Sequence, residues 1–229
     1  MLLASPRYGR AMTELPVLYS FRRCPYAMRA RMALAAAGMP VRLREVLLKD
    51  KPPALFEASA KATVPVLVLG DGTVLEESLE IMEWALEQND PLHWAVNPIA
   101  SSDWIASCDS EFKYWLDRYK YADRYPEHTA EQYRNSAESF IQRLESTLTT
   151  SAWVAGRQPT IVDIALFPFV RQFAAVDAAW WQVTPYAMTR RWLDHWVDSD
   201  LFTVVMKKYP RWHANMPEAI FPPPSTEES

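Results

Sequence analysis

The chain changes character once, and that change constrains its fold more than any single motif. Up to Asn89, short apolar runs alternate with stretches of helical spacing; beyond the Pro-punctuated segment NDPLHWAVNP, every periodic stretch is helical. A sequence of this kind separates into a mixed α/β unit and an all-helical unit, with a linker at residues 89–98. With 229 residues, 49% of them apolar, the chain can bury a substantial core without disulfide staples.

In the first half, PVLYS (residues 16–20) reads as a buried strand, followed by the loop FRRC and a helix over PYAMRARMALAAAG. Pro25 suits the first helical position, where its missing N–H would be unpaired anyway, and Gly38 followed by Pro40 supplies a stop. Val41 to Leu48 alternates as a second strand, residues 52–59 make a short helical or irregular crossing, and Val64 to Leu69 is a third strand. Asp71-Gly72 turns the chain into a short fourth strand at 73–75, and residues 78–88 carry Leu79, Met82, Trp84 and Leu86 at near-helical spacing. The predicted order is β-α-β-α-β-β-α. In the second half, Ile105, Cys108, Phe112, Trp115, Leu116 and Tyr119 mark one long amphipathic helix, and Phe140, Ile141, Leu144 and Leu148 mark another. A third opens at Thr160, which forms a capping box with Asp163, and shorter helices are expected over 184–197 and 201–208. Residues 1–15 and the Pro-rich 219–229 read as loose ends, leaving 16–88 and 99–218 as the two units.

Charge and composition narrow the partner. The formal net charge is -4 with both signs interleaved, so no strip of like charge marks a nucleic-acid or anionic-membrane surface. No apolar run approaches the roughly 20 residues of a membrane span. Arg7 and Arg10 stand unopposed before Glu14, in faint likeness to a transit peptide, but a loose extension ahead of Met12 is the plainer reading. The interleaved charge makes a small molecule the expected partner, and the two cysteines, Cys24 and Cys108, do not make a secreted disulfide framework, which points to a reducing, cytoplasmic setting. His93, His128, His195 and His213 are scattered without metal spacing, and five glycines leave no Gly-rich phosphate loop, so neither metal nor nucleotide is expected.

Chemistry is expected at Cys24, between a strand's carboxyl end and a helix's amino end, where unpaired N–H groups and the helix dipole favour an anion. Cysteines so placed have pKa values of roughly 3.5 to 7.5 against about 8.5 for a free thiol, and Arg22 and Arg23 would add to the effect. Cys108, in phase with Ile105 and Phe112, reads as core packing.

Four motifs in order, CPYA after a strand, then VPVL, then LEES, then Gly156-x-x-x-Thr160-x-x-Asp163, resemble the glutathione transferase superfamily. The first is similar to the Cys-Pro-aromatic element of the cysteine-bearing omega and lambda transferases and dehydroascorbate reductases. The resemblance covers both halves. It implies an α/β plus all-α fold, a thioredoxin-like domain followed by a helical bundle domain, with glutathione as co-substrate and a homodimer as the assembly. It assigns catalysis to Cys24, counts Tyr26 in the glutathione site, and makes Val64-Pro65 a cis-proline element whose Val64 main chain pairs with the cysteinyl backbone of glutathione. Glu77 and Ser78 would hold the γ-glutamyl end, and Lys51 the glycyl carboxylate. The plainer readings are Ser78 as an N-cap, Glu77 as a solvated charge and Lys51 as a surface lysine beside Asp50, and the glutathione roles are preferred to them.

The sequence also departs from that pattern. SAKAT stands where many relatives resemble Asn-Pro-x-Gly, leaving the loop before Val64 open in shape, and Ala27 replaces the second cysteine of a dithiol glutaredoxin, so glutathione must supply the exchange partner. Tyr114, Trp115 and Arg118 are candidates for the second-substrate wall, though aromatics at helical spacing also pack cores. The expected activity is glutathione-dependent thiol transfer, or disulfide or dehydroascorbate reduction, through a Cys24 thiolate. The alternatives are conjugation of glutathione to electrophiles, with Tyr19 or Ser20 activating the glutathione sulfur, and a non-catalytic interaction module.

Overall fold

A computed structural model describes residues 14–95 and 98–224. The first half runs β1 (Val17–Ser20), α1 (Pro25–Ala36), β2 (Val41–Glu45), α2 (Pro53–Ala58), β3 (Val66–Val68), β4 (Val74–Leu75) and α3 (Ser78–Gln88). Strand β1 is parallel to β2 and antiparallel to β3, which forms a hairpin with β4. This is the thioredoxin-like β-α-β-α-β-β-α arrangement. Period-two alternation sorts the side chains: Leu18, Leu43 and Leu67 face the main core with α1 and α3, while Val17, Tyr19 and Val66 face a smaller cluster with Leu55 of α2. Gly38, at φ 63°, closes α1 in the left-handed conformation that a glycine reaches without steric cost.

The stretch from residue 219 is not wholly loose as expected. Ala219–Phe221 forms β5, antiparallel to β2, giving a five-stranded sheet of order β4-β3-β1-β2-β5. An edge strand leaves a row of unpaired backbone groups, and β5 covers the one that β2 would expose. Phe221 is fully buried, and upstream the Trp212 N–H donates to the Glu45 carbonyl at 2.9 Å. Three residues behind a Pro-rich reading carry too short an alternation to show as a strand. Several expected strands are also shorter than drawn: β2 stops at Glu45, and β3 begins only at Val66.

The second half is helical: α4 (Pro98–Ser107), α5 (Lys113–Lys120), α6 (Ala130–Thr150), α7 (Ile161–Ala174), α8 (Ala178–Val183), α9 (Ala187–Val197) and α10 (Asp200–Val205). The first long helix of the sequence reading is interrupted, because Cys108–Phe112 forms a π turn between α4 and α5. Helix α8 was not anticipated; Asp177 caps it through a bond from the Trp180 N–H at 2.9 Å. Asp163 lies fully buried, taking bonds from the Thr160 and Val154 N–H groups at 2.9 and 3.1 Å and from Trp192 Nε1 at 2.9 Å. The expected capping box is therefore also the knot that ties α7 to α9. Helix α1 packs between α3 of its own half and α7 and α10 of the other, so the start of α1 sits where the halves meet.

Candidate functional site

Cys24 is the N-cap of α1, in extended conformation (φ -72°, ψ 124°), with Pro25 following at the first helical turn. Its carbonyl accepts the first helical bond, from the Met28 N–H at 2.8 Å, and its thiol donates toward the Val64 carbonyl at 3.6 Å. The Val64-Pro65 peptide is cis, and no described residue accepts the Val64 N–H. Before it, Ala62 holds φ 47°, so an alanine occupies the left-handed position in the loop whose shape the sequence left open.

The expected lowering of the thiol pKa is not found. Burial pushes the Cys24 thiol up; the backbone N–H groups of Ala27 and Tyr26, then the charges of Arg31 and Lys113, pull it down without overcoming that cost. The cations that reach the sulfur are thus Arg31 and Lys113, rather than the neighbouring Arg22 and Arg23. Cys24 rests as a thiol near backbone N–H groups that favour its anion.

A cavity of about 840 Å³ opens beside it. Cys24, Tyr26, Lys51, Val64, Pro65, Glu77 and Ser78, the thiol and the glutathione contacts expected from the resemblance, line this cavity together. Glu77 precedes α3 and pairs with Lys61 at 2.7 Å, both side chains largely exposed, while Glu80 reaches back to the Glu77 N–H at 3.1 Å. Ser78 begins α3, is buried, and its hydroxyl accepts from Arg29 Nε at 2.9 Å. Lys51 stands half-buried, with no described carboxylate paired to it. Tyr26 packs edge-on against Phe169 of α7, with ring centroids 5.0 Å apart. Burial and the Asp109 carboxylate raise its hydroxyl to about 12, so Tyr26 is a poor source of an anionic oxygen near neutral pH.

Neither hydroxyl offered as an alternative activator lines the cavity. Ser20 is fully buried and accepts from Arg31 Nη1 at 2.6 Å; the Tyr19 hydroxyl accepts from Arg44 Nη1 at 2.6 Å. Tyr114, Trp115 and Arg118 do not line it either: the Arg118 guanidinium lies 3.4 Å from the Tyr114 ring, and Trp115 packs on Tyr133. The residue of α5 that turns toward the site is Lys113, 6.0 Å from the Tyr26 ring and held by Asp117.

Arg29, Lys61, Thr63 and Asp109 also line the cavity and were missed. Arg29 gave a signal, since it and Arg31 interrupt an otherwise apolar helix and both are buried. Asp109 gave none, because the helical spacing through Cys108 and Phe112 reads as unbroken. A second cavity, of about 220 Å³, lies away from Cys24 among Leu148, Trp153, Trp192 and His195 and holds no thiol. Among the described residues no helix is long and apolar enough to cross a membrane.

Comparison with known proteins agrees with this architecture. Residues 18–94 match the model of the glutathione S-transferase N-terminal domain, and residues 114–214 that of the C-terminal domain. The chain is 27% identical over 175 residues to glutathione S-transferase U22 of Arabidopsis thaliana, covering 72% of this chain and 77% of that one. It is 24% identical over 163 residues to glutathione S-transferase omega-1 of Mus musculus, covering 70% and 68%. A glutathione transferase family member from Pseudomonas fluorescens, crystallised with two glutathione molecules bound, superposes with a TM-score of 0.72 at 19% identity, over 87% of this chain and 96% of that one. With both domains matched in order around one thiol-bearing cavity, the chain belongs to the glutathione transferase superfamily.

Proposed function

We propose that this transferase acts as a glutathione-dependent thiol transferase through Cys24. The observation that carries the reading is a contrast: the Cys24 sulfur opens on the cavity, while the Tyr19 and Ser20 hydroxyls are engaged elsewhere, by Arg44 and Arg31. Likeness to omega-1 of Mus musculus supports the same choice. Glutathione fits the residues present. Val64 offers the cysteinyl backbone an N–H that no described residue accepts, Lys51 offers the glycyl carboxylate a cation that no described carboxylate pairs, and Ser78 offers the γ-glutamyl carboxylate a hydroxyl at a helix start. Glu77 receives the γ-glutamyl ammonium by exchanging it for exposed Lys61.

In the proposed cycle Cys24 loses its proton to solvent, and the N–H groups of Ala27 and Tyr26 receive the charge. The thiolate attacks the glutathione sulfur of a glutathionylated substrate; the enzyme–glutathione disulfide forms and the substrate leaves as its thiolate. A second glutathione, as thiolate, attacks that disulfide, releasing oxidised glutathione and restoring Cys24. No second protein cysteine is needed, which suits Ala27 at the position a dithiol enzyme would use. We extend the reading to a homodimer in a reducing cytoplasm; Phe56 of α2, 55% exposed, is an apolar group such an interface would cover. Sedimentation giving one chain per particle would remove the dimer. For the chemistry, the test is intact mass after exposure to oxidised glutathione. One glutathione adduct, mapped to Cys24 and reversed by reduced glutathione, is the expected result. Strong aryl-halide conjugation without disulfide exchange would favour the conjugating alternative, and inactivity in both assays an interaction module.

A further inference from the structure

The segment that carries Lys51 has few ties of its own. Residues 46–52 cross from β2 to α2, and the Asp50 N–H donates to the Leu47 carbonyl at 2.9 Å to close a turn. Among the described residues, one side chain forms a hydrogen bond or ion pair with residues 47–52, and it comes from the far end of the chain. Arg211 Nη2 donates to the Asp50 carbonyl at 2.8 Å and pairs with Asp50 Oδ2 at 2.6 Å. This arm is anchored at its root. The next residue, Trp212, is buried, its N–H bonded to the Glu45 carbonyl at the end of β2 and its ring 4.2 Å from the Arg44 guanidinium. Arg44 in turn donates to Glu218 Oε1 at 2.7 Å, one residue before β5. The stretch joining α10 to β5 is thus fixed against β2, and Arg211 reaches the Lys51 segment from it.

We propose that Arg211 is a positioning residue for Lys51 and, through it, for the glycyl end of glutathione. The inference rests on glutathione occupying the cavity as proposed above. Neither Arg211 nor Asp50 lines that cavity, whereas Lys51 does. A carboxylate one residue from a lysine competes with any carboxylate that arrives: it offers the ammonium an internal partner and repels the ligand's charge. Arg211 removes the competition by taking the Asp50 carboxylate to itself, and Lys51 is left with no described carboxylate partner. Its bond to the Asp50 carbonyl falls on the planar peptide unit that leads into Lys51, and so steadies the main chain from which that side chain springs. The Arg211 and Asp50 side chains are 38% and 64% exposed, so the pair adds little to stability. Its effect falls instead on affinity for one end of the tripeptide.

Calorimetry on the full chain with two ligands tests this: reduced glutathione, and its monoethyl ester at the glycyl carboxylate, which masks that charge and keeps the rest. Arg211→Met is expected to weaken glutathione roughly fivefold, the scale of one well-placed exposed charge pair, and to leave affinity for the ester within about twofold of the parent's. Lys51→Met should show the same split between the ligands. Beside Asp50→Asn, which has no carboxylate to restrain, the cost of Arg211→Met should fall below about twofold. Should Arg211→Met fail to fold, Arg211→Gln completes the same comparison. An equal loss on the ester, a loss undiminished beside Asp50→Asn, or parent-like glutathione affinity in the folded Arg211 variant overturns the inference while leaving the glutathione site in place. Parent-like glutathione affinity in Lys51→Met, or a parent protein that takes up no glutathione, overturns the reading of the site, and the inference with it.

Discussion

Cys24 and Cys108 are the same residue in two settings, one at the edge of the cavity and one in the helical wall behind it. Burial raises both thiols. At Cys24 the opposition comes first from the backbone N–H groups of Ala27 and Tyr26 and then from Arg31 and Lys113. At Cys108 the Asp109 carboxylate adds to burial, and only the charges of Arg29 and Lys113 oppose it. Cys24 keeps a face toward the cavity, whereas Cys108 is fully buried. If Cys24 is the working thiol, as proposed, what separates it from the packing one is access, and N–H groups ready for the developing charge, more than a low resting pKa.

The largest effect should come from exchanging the two roles. Cys24→Ser is expected to reduce glutathione-dependent disulfide exchange at least a hundredfold, because a serine cannot form the disulfide. Cys108→Ala should keep turnover per folded molecule within about twofold, since no step uses that sulfur. Equal losses in the two variants, measured with a glutathionylated peptide, would break the comparison.

Stability should reverse the ranking. Cys108→Ser places a hydroxyl at a fully buried site, at a cost of about 1–2 kcal/mol in urea unfolding. Cys24→Ser should cost less than about 0.5 kcal/mol, as its site opens to the cavity.

The settings also differ in how pH acts. Alkylation of Cys24 should accelerate with a midpoint above the ordinary thiol value of about 8.5, since burial favours the protonated form. For Cys108 the raised pKa means that the folded chain keeps a proton the unfolded chain has lost. Its contribution to stability is whole below about pH 8.5 and falls as pH rises above it, by about 1 kcal/mol over the next unit. Cys108→Ala should flatten that alkaline decline; urea midpoints for both proteins at neutral and alkaline pH provide the check.

The smallest effect concerns the loop that presents Val64 to Cys24. Ala62 holds a left-handed conformation that glycine adopts freely, so Ala62→Gly should stabilise by up to about 1 kcal/mol, offset in part by the freer unfolded chain. A clear destabilisation would mean that the buried Ala62 methyl matters more than its backbone angle.

The parts of this site legible in the sequence were those whose physics is local. A strand, a proline at the first helical turn and a glycine stop were enough to place Cys24, and Thr160 and Asp163 stand three residues apart in a capping box. Arg29 could be suspected from charge in an apolar helix, but its partner Asp109 lies 80 residues away and no local rule pairs them. The π turn was invisible for a related reason: apolar residues on either side keep helical spacing, and one inserted residue falls within the scatter of that pattern. The thiol's raised pKa was missed because the sequence reveals the N–H groups that would lower it but not the neighbours that bury it.

The pairing of β5 with β2 also orders events in time. A ribosome finishes β2 long before it reaches Ala219, and the whole helical half is made in between. Throughout that interval the nascent sheet has an unprotected strand at one side and lacks the ring of Phe221. The thioredoxin-like half of this chain is then the first to be synthesised and among the last to be completed, and during its own translation the open strand is where a neighbouring nascent chain would find the easiest place to add a strand of its own.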